Sequence, residues 1–373
     1  MIIAEIGTSH GGSFEKAKQL IDEAADCGAD AVKFQWVYAD EILHPETGMV
    51  KLPGGEVRLY DRFKSLEVNP EFFAGCLSYA HTRGVKFVCS PFGLKSLREL
   101  LAIHPDAVKI ASPELNHFPL LTALADYRIV QKAVGDPVIP VIVSTGVSKL
   151  ADIEKALAVL GTEQVTLLHC ITSYPAPETE YNVRLVRTLH GIFGVPCGIS
   201  DHSLDPVLVP ALAAAMGSVM TEKHITLSRS TDGLDDPVAL EGEQFALMVH
   251  VLHQCGAALN RYGPKRGEHE IIGQMRESYG KEKVAAVLGN GVKHLAHAEE
   301  NNYGRTNRSL HFMRAMKAGD AINDGDIAVL RTEKVLTPGI SPEYQELLHG
   351  AVLSRDVQSG EGVKWEDVVG YTS

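Results

Sequence analysis

The feature that most constrains the fold is a short strand-like segment that recurs eight times in the first 260 residues and alternates with helical patterns. Each segment is rich in β-branched and other apolar residues, as buried parallel strands are. The segments span residues 2–7, 31–35, 85–91, 107–114, 140–146, 165–175, 196–203 and 218–226. Eight strands alternating with helices over about 250 residues predict an α/β fold of the (β/α)8 TIM barrel type. This pattern fits a six-stranded doubly wound sheet less well.

The sequence changes character after residue 260. Residues 261–307 are polar and irregular, and they predict a linker with one or two short helices. From Arg308 onward, short strand patterns are separated by turn signals such as "AGDAINDGD" and "QSGEG". The chain is therefore expected to have a barrel catalytic domain at 1–260, a linker at 261–307, and a small β-rich capping domain at 308–373.

Composition excludes several classes of partner. The 373-residue chain carries a formal net charge of −12, which argues against binding to nucleic acid or to an anionic membrane. No run approaches the roughly 20 apolar residues of a membrane span, and no signal peptide is evident at "MIIAEIG". The six cysteines show no C-x-x-C spacing, which predicts reduced thiols and a cytoplasmic location.

The last predicted strand, "VMTEKHITL", contains three ionisable residues where a barrel normally places apolar ones. On an alternating strand Glu222 and His224 share one face and Lys223 takes the other. Burying such groups without partners would cost roughly 2–7 kcal/mol for each polar group and more for a charge. The three side chains must therefore be paired with a metal, with an anion or with each other.

Polar residues collect at the carboxyl ends of all eight predicted strands, where the active site of a (β/α)8 barrel lies. In chain order they are Glu5 and His10; Lys33 and Gln35; Ser90; Lys109, Ser112 and Glu114; Ser144 and Thr145; Thr172 and Tyr174; Ser200, Asp201 and His202; and Glu222, Lys223 and His224. A core selected only for stability would not distribute ionisable groups in this way.

The two histidines predict a metal site. His202 and His224 end neighbouring strands, so their rings are expected to converge on one point. Imidazoles combined with oxygen ligands suit a borderline divalent ion such as Mn²⁺, Zn²⁺ or Fe²⁺. The alternative is that both are core histidines, hydrogen-bonded to Asp201 and Glu222.

The lysines predict an anion site. Lys33, Lys109 and Lys223 interrupt apolar strands of an acidic protein, and with the serine hydroxyls of neighbouring strand ends they would form a cradle for phosphate or carboxylate. The alternative is salt bridges to the glutamates of the same strand ends. A Schiff base on Lys109 is a further option, but the nearby hydroxyls favour phosphate chemistry.

The carboxylates are candidates for metal binding, general-base catalysis or hydroxyl recognition. Glu5 lies inside an apolar strand, which makes it the least suited to a solvated surface. Asp235 lies in the turn-like "STDGLDDP" just after the eighth strand, where an ordinary Asx turn is the alternative.

Several motifs together resemble the N-acetylneuraminate (sialic acid) synthase family. They are "AEIGTSHGG", "GADAVKFQ", "STGVSKLADI", "LLHCITSYPAPETEYN", "GISDHS" and "TEKHIT", and they are followed by "RSLHFMRAMKAGDAI" and "LSRDVQSGEGVKWEDV", which resemble that family's antifreeze-like (SAF) domain. The resemblance implies condensation of phosphoenolpyruvate with an N-acylated hexose, such as N-acetylmannosamine or a diacetamido analogue. The product would be a nine-carbon 2-keto acid of the sialic, legionaminic or pseudaminic type, and phosphate would be released.

The resemblance also implies a role for each site residue. His202 and His224 would bind Mn²⁺ or Mg²⁺, and Glu5 would be a catalytic carboxylate near the reacting carbons. The phosphoenolpyruvate site would comprise Lys33, Lys109, Ser90, Ser112 and Ser144. The sugar and the metal-bound water would be lined by Gln35, Glu114, Tyr174, Ser200 and Asp235, and Thr172 stands where some members carry Asn. In a domain-swapped homodimer, Arg331 of the capping domain would reach the sugar's N-acyl group in the partner's barrel.

Two other functions remain open from the sequence. A metal-dependent hydrolase on the same barrel would use His202, His224 and Asp235 to activate water, but it would leave the strand-end lysines unexplained. A non-catalytic carbohydrate-binding relative would be favoured by loss of Glu5 or of a metal histidine, and neither is lost.

Overall fold

The computed structural model describes residues 1–52, 55–231, 233–333 and 335–370. Its strands are β1 (Ile2–Gly7), β2 (Ala31–Trp36), β3 (Met49–Leu52), β4 (Gly55–Arg58), β5 (Lys86–Pro91), β6 (Ala107–Ile110), β7 (Val141–Ser144), β8 (Val165–Cys170), β9 (Cys197–Asp201), β10 (Thr221–His224), β11 (Arg308–Phe312) and β12 (Ile327–Arg331).

The α-helices alternate with the strands through the first two thirds of the chain. They are α1 (Phe14–Asp26), α2 (Ala39–Ile42), α3 (Leu59–Lys64), α4 (Pro70–Thr82), α5 (Leu94–Ala102), α6 (Phe118–Val134), α7 (Leu150–Leu160), α8 (Leu185–Phe193), α9 (Leu208–Ala215), α10 (Gly242–Tyr262), α11 (Pro264–Tyr279), α12 (Lys281–Leu288) and α13 (Gln345–Leu348). Side-chain capping helps to define their starts: Ser13 accepts a hydrogen bond from the N–H of Lys16 and begins α1.

Eight parallel strands close into a barrel in the order β1-β10-β9-β8-β7-β6-β5-β2. All eight predicted strands are present, so the barrel is confirmed and the doubly wound sheet is excluded. Several strands end earlier than predicted; the segment 165–175, for example, is a strand only over Val165–Cys170. The antiparallel hairpin β3–β4 was not predicted.

The floor of the barrel lumen is an apolar layer to which successive strands each contribute one side chain. Its members are Ile3, Ala31, Val88, Ala107, Ile142, Leu168 and Met220, all buried. The corresponding position of β9 is Gly198, where an added Cβ would lie 2.3 Å from the carbonyl oxygen of Met220. A glycine is therefore required there for the layer to close.

The predicted linker is more structured than expected. Its first part forms α11 and α12, which pack against the barrel helix α9 and bury Ile271, Met275 and Val287. Its second part follows the barrel mouth, where Glu299 accepts hydrogen bonds from the N–H groups of Val147 and Thr172 at 3.0 and 2.8 Å. Residues 261–307 therefore pack on the barrel, and only the part around Glu299 lies at its mouth.

The C-terminal domain has its own core and docks on the barrel of the same chain. Strands β11 and β12 pair antiparallel, and the core includes Leu310, Phe312 and Val363. The backbone of Arg308 exchanges two hydrogen bonds with the Asn116 side chain, at 2.8 and 2.9 Å. This contact joins the start of β11 to the loop that follows β6.

Two further observations concern the cysteines and the helices. All six cysteines, which lie within the described ranges, are free thiols. Among the helices of the described residues, none combines the length and the apolar character that a membrane crossing requires.

One part of the anion-site prediction is wrong. Lys223 points away from the lumen, and its ammonium group bonds Asp201 Oδ2 at 2.6 Å and the carbonyl oxygen and hydroxyl of Ser203 at 2.5 and 3.2 Å. Alternation along β10 explains this position, because Glu222 and His224 occupy the inward face. Lys223 is therefore a structural lysine between the barrel and its helices.

Replacement of Lys223 by methionine should destabilise the fold by about 3–5 kcal/mol, because it leaves the buried Asp201 carboxylate without its cation. Urea unfolding followed by circular dichroism would measure this loss. The control is Lys132→Met, which breaks an exposed pair with Glu163 and should change the stability far less, because water screens that pair. Equal stability of the two variants would contradict a structural role for Lys223.

Candidate active site

The inward-facing residues form a charged layer directly above the apolar floor. On each strand the residue two positions beyond the floor residue shares its face, because strand side chains alternate. This second layer comprises Glu5, Lys33, Ser90, Lys109, Ser144, Cys170, Ser200 and Glu222, and all eight are buried. The polar strand ends noted in the sequence are therefore one continuous surface.

Ion pairs cross the lumen within this layer. Lys109 Nζ lies 3.0 Å from Glu222 Oε1, although β6 and β10 stand on opposite sides of the barrel. Lys33 Nζ lies 2.9 Å from Glu5 Oε2 and 3.8 Å from Glu222 Oε2. The Ser200 hydroxyl donates a further bond to Glu222 at 2.9 Å. Two lysines and two glutamates thus form one buried cluster.

Burial and mutual attraction set the protonation states of the cluster. Burial alone would raise the pKa of Glu222, but Lys109 and Lys33 lower it to about 2. Burial raises the pKa of Glu5, against the attraction of Lys33. Burial lowers the pKa of Lys109, whereas Glu222 and Glu5 outweigh burial and raise that of Lys33. Glu5 is therefore the carboxylate of the cluster best suited to exchange a proton.

Several buried oxygens of the mouth have unused hydrogen-bonding capacity. Within the described residues, Glu5 Oε2, Glu222 Oε2, Ser144 Oγ and Thr172 Oγ1 are buried and have no hydrogen-bond partner. The contact of Lys33 with Glu5 Oε2 is close enough for an ion pair but lacks hydrogen-bond geometry. Unsatisfied buried groups are uncommon in folded proteins and mark a place where a ligand or water binds.

A third lysine reaches the mouth from the segment that was predicted to be a linker. Lys293 Nζ donates to the carbonyl oxygen of Thr145, at the end of β7, at 3.0 Å. Burial lowers the pKa of Lys293, and Glu299 opposes that shift. Lys293, unlike Lys223, thus brings a cation to the carboxyl end of a barrel strand.

The hydroxyls of this half of the site converge around Gly146. The N–H of Gly146 donates to Ser112 Oγ at 3.0 Å. A Cβ on Gly146 would lie 2.3 Å from Thr172 Oγ1 and 2.9 Å from Ser112 Oγ, so only glycine fits. The Ser90 hydroxyl approaches Lys33 Nζ at 3.5 Å. Of the predicted residues, Ser112 and Thr172 therefore meet beside Gly146, and Ser90 lies beside Lys33.

A third layer carries the imidazoles. The rings of His202 and His224 lie 5.5 Å apart, and the half-exposed Tyr174 stacks on His202 at 4.2 Å. His202 Nδ1 donates to the carbonyl oxygen of Ile171 at 2.8 Å, so Nε2 is the unprotonated nitrogen, and it lies 3.5 Å from the Ser200 hydroxyl oxygen. Burial lowers the pKa of both histidines, so both are neutral at pH 7.

These side chains fit a divalent ion held by two nitrogens. Metal-binding imidazoles are typically neutral, with the second nitrogen bonded to a carbonyl or carboxylate, as in His202. Asp235 Oδ2 lies 3.8 Å from His224 Nδ1. Within the described residues, no set of three or more His, Cys, Asp or Glu side chains is arranged to hold a metal. An ion here would therefore take most of its remaining ligands from water and substrate.

The carboxylates and the amide of the mouth meet around Gly7. Gln35 Nε2 donates to Glu5 Oε1 at 2.8 Å. A Cβ built on Gly7 would lie 3.2, 3.3 and 3.5 Å from atoms of Gln35, Glu5 and Asp235. Burial, followed by the charge of Glu5, raises the pKa of Asp235 to about 6. Two carboxylates of perturbed pKa thus face the same small space, which is typical of a catalytic site.

The C-terminal domain contributes two arginines to this mouth. Glu114 is fully buried, and its carboxylate accepts hydrogen bonds from Arg331 at 2.9 and 3.1 Å and from Arg308 at 2.7 and 3.1 Å. Both arginines belong to the same chain as Glu114, whereas the resemblance implied that Arg331 crosses to a second subunit. The domain-swapped homodimer stays a prediction.

Three residues of the mouth were missed from the sequence. Lys293, Glu299 and Arg308 reach it from the polar segment after residue 260 or from the first residue of β11. Arg308 begins the motif "RSLHFMRAMKAGDAI", which was a usable signal. No sequence periodicity marks Lys293 or Glu299, because neither lies on a regular strand or α-helix.

The fold and the site together define a class: a (β/α)8 barrel with a buried charged layer in its mouth and a small C-terminal domain docked there. Residues 20–263 match the NeuB family, and residues 307–369 match the SAF domain. The chain therefore belongs to the NeuB family and is an enzyme of that synthase class.

Similar proteins cover nearly the whole chain. The crystal structure of the spore coat polysaccharide biosynthesis protein SpsE from Bacillus subtilis is 30% identical, with a TM-score of 0.81 over 99% of this chain and 95% of that chain. The N,N'-diacetyllegionaminic acid synthase of Legionella pneumophila is 27% identical over 98% of this chain and 94% of that protein. The pseudaminic acid synthase of Campylobacter jejuni is 28% identical over 98% and 96%.

Proposed function

We propose that this enzyme condenses phosphoenolpyruvate with an N-acylated hexose to give a nine-carbon 2-keto sugar acid and phosphate. The observation that carries the proposal is the buried cluster of Lys33, Lys109, Glu5 and Glu222 beside the paired imidazoles. Relatives named as diacetyllegionaminic and pseudaminic acid synthases support it. The acceptor is a 2-acetamido or diacetamido hexose.

The lysine half of the mouth binds the three-carbon donor. The buried cations Lys33 and Lys109 and the half-buried Lys293 attract its phosphate and carboxylate, and the hydroxyls around Gly146 donate further hydrogen bonds. The charge of these groups also stabilises the anionic tetrahedral intermediate that forms before phosphate leaves. Ser90, Ser112, Ser144, Thr172 and Ser200 line this half.

The other half holds the acceptor and moves protons. The enol carbon of the donor attacks the acceptor's aldehyde carbon, whose oxygen takes up a proton from solvent and becomes a hydroxyl. Water then adds to the resulting oxocarbenium carbon, and phosphate departs with cleavage of its C–O bond. Glu5, whose pKa burial raises, accepts a proton from that water while Gln35 orients the carboxylate. Asp235, Tyr174, Glu114 and Arg331 line the acceptor.

His202 and His224 would hold a divalent ion, Mn²⁺ or Mg²⁺, beside the acceptor. When bound, such an ion would supply Lewis-acid polarisation of the acceptor's carbonyl oxygen. The hydrogen bond from His202 to the carbonyl of Ile171 fixes the tautomer that exposes Nε2. Stacking of Tyr174 on His202 fixes the ring plane.

Phosphate release from phosphoenolpyruvate should depend strictly on an N-acyl hexose. The assay measures phosphate across a panel of acetamido and diacetamido hexoses, with N-acetylmannosamine included, and with ¹⁸O in the bridging position of the donor. The label should appear in the phosphate, because the C–O bond breaks. Sugar-independent release would instead support the hydrolase and contradict the condensation.

Replacement of His224 by alanine should abolish turnover while the protein stays folded, and a chelator should abolish turnover of the unmodified enzyme. The second readout is direct: equilibrium dialysis against Mn²⁺ should show binding that is lost in His224→Ala. The matched control is His250→Ala, on the exposed side of α10, which should keep both turnover and Mn²⁺ binding. A folded His224→Ala protein with near-normal rate would remove the metal assignment.

A further inference from the structure

Arg308 uses every hydrogen-bond donor of its guanidinium inside the protein. Its Nε and one N–H of Nη2 bond Glu114 Oε1 at 3.1 and 2.7 Å, and Nη2 also bonds the carbonyl oxygen of Phe92 at 2.7 Å. Nη1 bonds the carbonyl oxygens of Glu41 and Val329. A guanidinium has five N–H groups, and all five find protein acceptors here. Arg308 therefore has no donor left for a substrate.

Arg331 shares the same carboxylate but is placed differently. Its Nε and Nη2 bond Glu114, while its Nη1 has no hydrogen bond to any residue that the structure describes. Its side chain is 12% exposed, whereas that of Arg308 is fully buried. Arg331 can thus meet a ligand directly, and Arg308 can act on one only through Glu114.

The other partners of Arg308 show what it holds together. The carbonyl of Glu41 comes from α2 and that of Phe92 from the loop after β5, so both belong to the barrel mouth. The carbonyl of Val329 comes from β12 of the C-terminal domain. The Asn116 side chain fixes the Arg308 backbone from the loop after β6. The buried Arg308 side chain therefore fixes Glu114 relative to α2, to the loop after β5 and to the C-terminal domain.

We infer that Arg308 is a positioning residue for the acceptor: it orients the Glu114 carboxylate and makes that orientation depend on docking of the C-terminal domain. This inference rests on the proposed function. It predicts that losing Arg308 harms recognition of the sugar and leaves recognition of phosphoenolpyruvate intact, because the donor is held by Lys33, Lys109 and Lys293.

A double-mutant cycle tests the inference. Steady-state kinetics would be measured for Arg308→Met, Glu114→Gln and the double variant, with each substrate varied in turn. Each single change should lower kcat/KM for the acceptor roughly 10- to 100-fold, the loss expected for one hydrogen bond to a charged group, with KM for phosphoenolpyruvate unchanged. The double variant should be no worse than Glu114→Gln, because Arg308 acts through that carboxylate.

Two further variants separate positioning from general stability. Arg308→Lys keeps the positive charge but loses the planar guanidinium, so its kinetics with the acceptor should resemble those of Arg308→Met. If Arg308→Met does not fold, Arg308→Lys takes its place in the double-mutant cycle. Arg314→Met, which removes the pair of an exposed arginine with the buried Asp326 in the same domain, should leave all kinetic constants unchanged. Additive losses in the cycle, or an equal rise of both KM values, would overturn the inference.

An inactive wild-type protein would contradict the proposed function but not the energetic coupling between Arg308 and Glu114. In that case the coupling is measured by thermal unfolding of the wild-type protein, the two single variants and the double variant. The Tm changes of Arg308→Met and Glu114→Gln should be less than additive in the double variant, since both remove one interaction. Additive Tm changes would overturn the coupling whatever the reaction is.

Discussion

The site depends on one ion pair, between Lys109 and Glu222, which joins opposite walls of the barrel at 3.0 Å. Both side chains are almost fully buried, so each charge is stable there only because the other is present. Lys33 and Glu5 extend the pair into a cluster that is formally neutral. The cluster leaves the buried oxygens Glu5 Oε2 and Glu222 Oε2 without hydrogen-bond partners. The ion pairs thus hold two lysines deep in the lumen, where the proposed anionic donor would meet them.

The two-residue period of the strands builds this arrangement in layers. The apolar floor that contains Ile3 and Met220 supports the charged layer that contains Glu5 and Glu222, and two positions further on come Gln35, Thr172, His202 and His224. In the proposed reaction, donor binding, proton transfer and acceptor binding would thereby be stacked along one axis. Above them, the C-terminal domain brings Arg308 and Arg331 to Glu114. The domain is therefore part of the site as well as its cover.

The strands and the residues at their ends were predicted from the sequence, because they follow the periodicity of the strands. The residues that reach the site through long-range contacts were missed. The eight strands and their polar ends follow from local patterns, and so does the inward position of Glu222 and His224. Lys223 was assigned to the anion site because it is a lysine near a strand end. The alternation of side chains along β10 instead turns it outward, against Asp201. Lys293 could not be assigned, because its partner Thr145 lies more than a hundred residues away and no local pattern encodes that contact. Arg308 was marked only by the motif that it begins, and its contact with Glu114 is equally distant in sequence.

Equilibrium binding of phosphoenolpyruvate, measured by titration calorimetry on Lys109→Met and Glu222→Gln, tests the account most directly. If the cluster is an anion site, removing the cation should weaken binding about tenfold or more, whereas removing the carboxylate should leave it equal or tighter. The two changes break the same ion pair, so a purely structural pair would make both variants lose affinity alike. Equal losses, or no loss in Lys109→Met, would contradict the central claim.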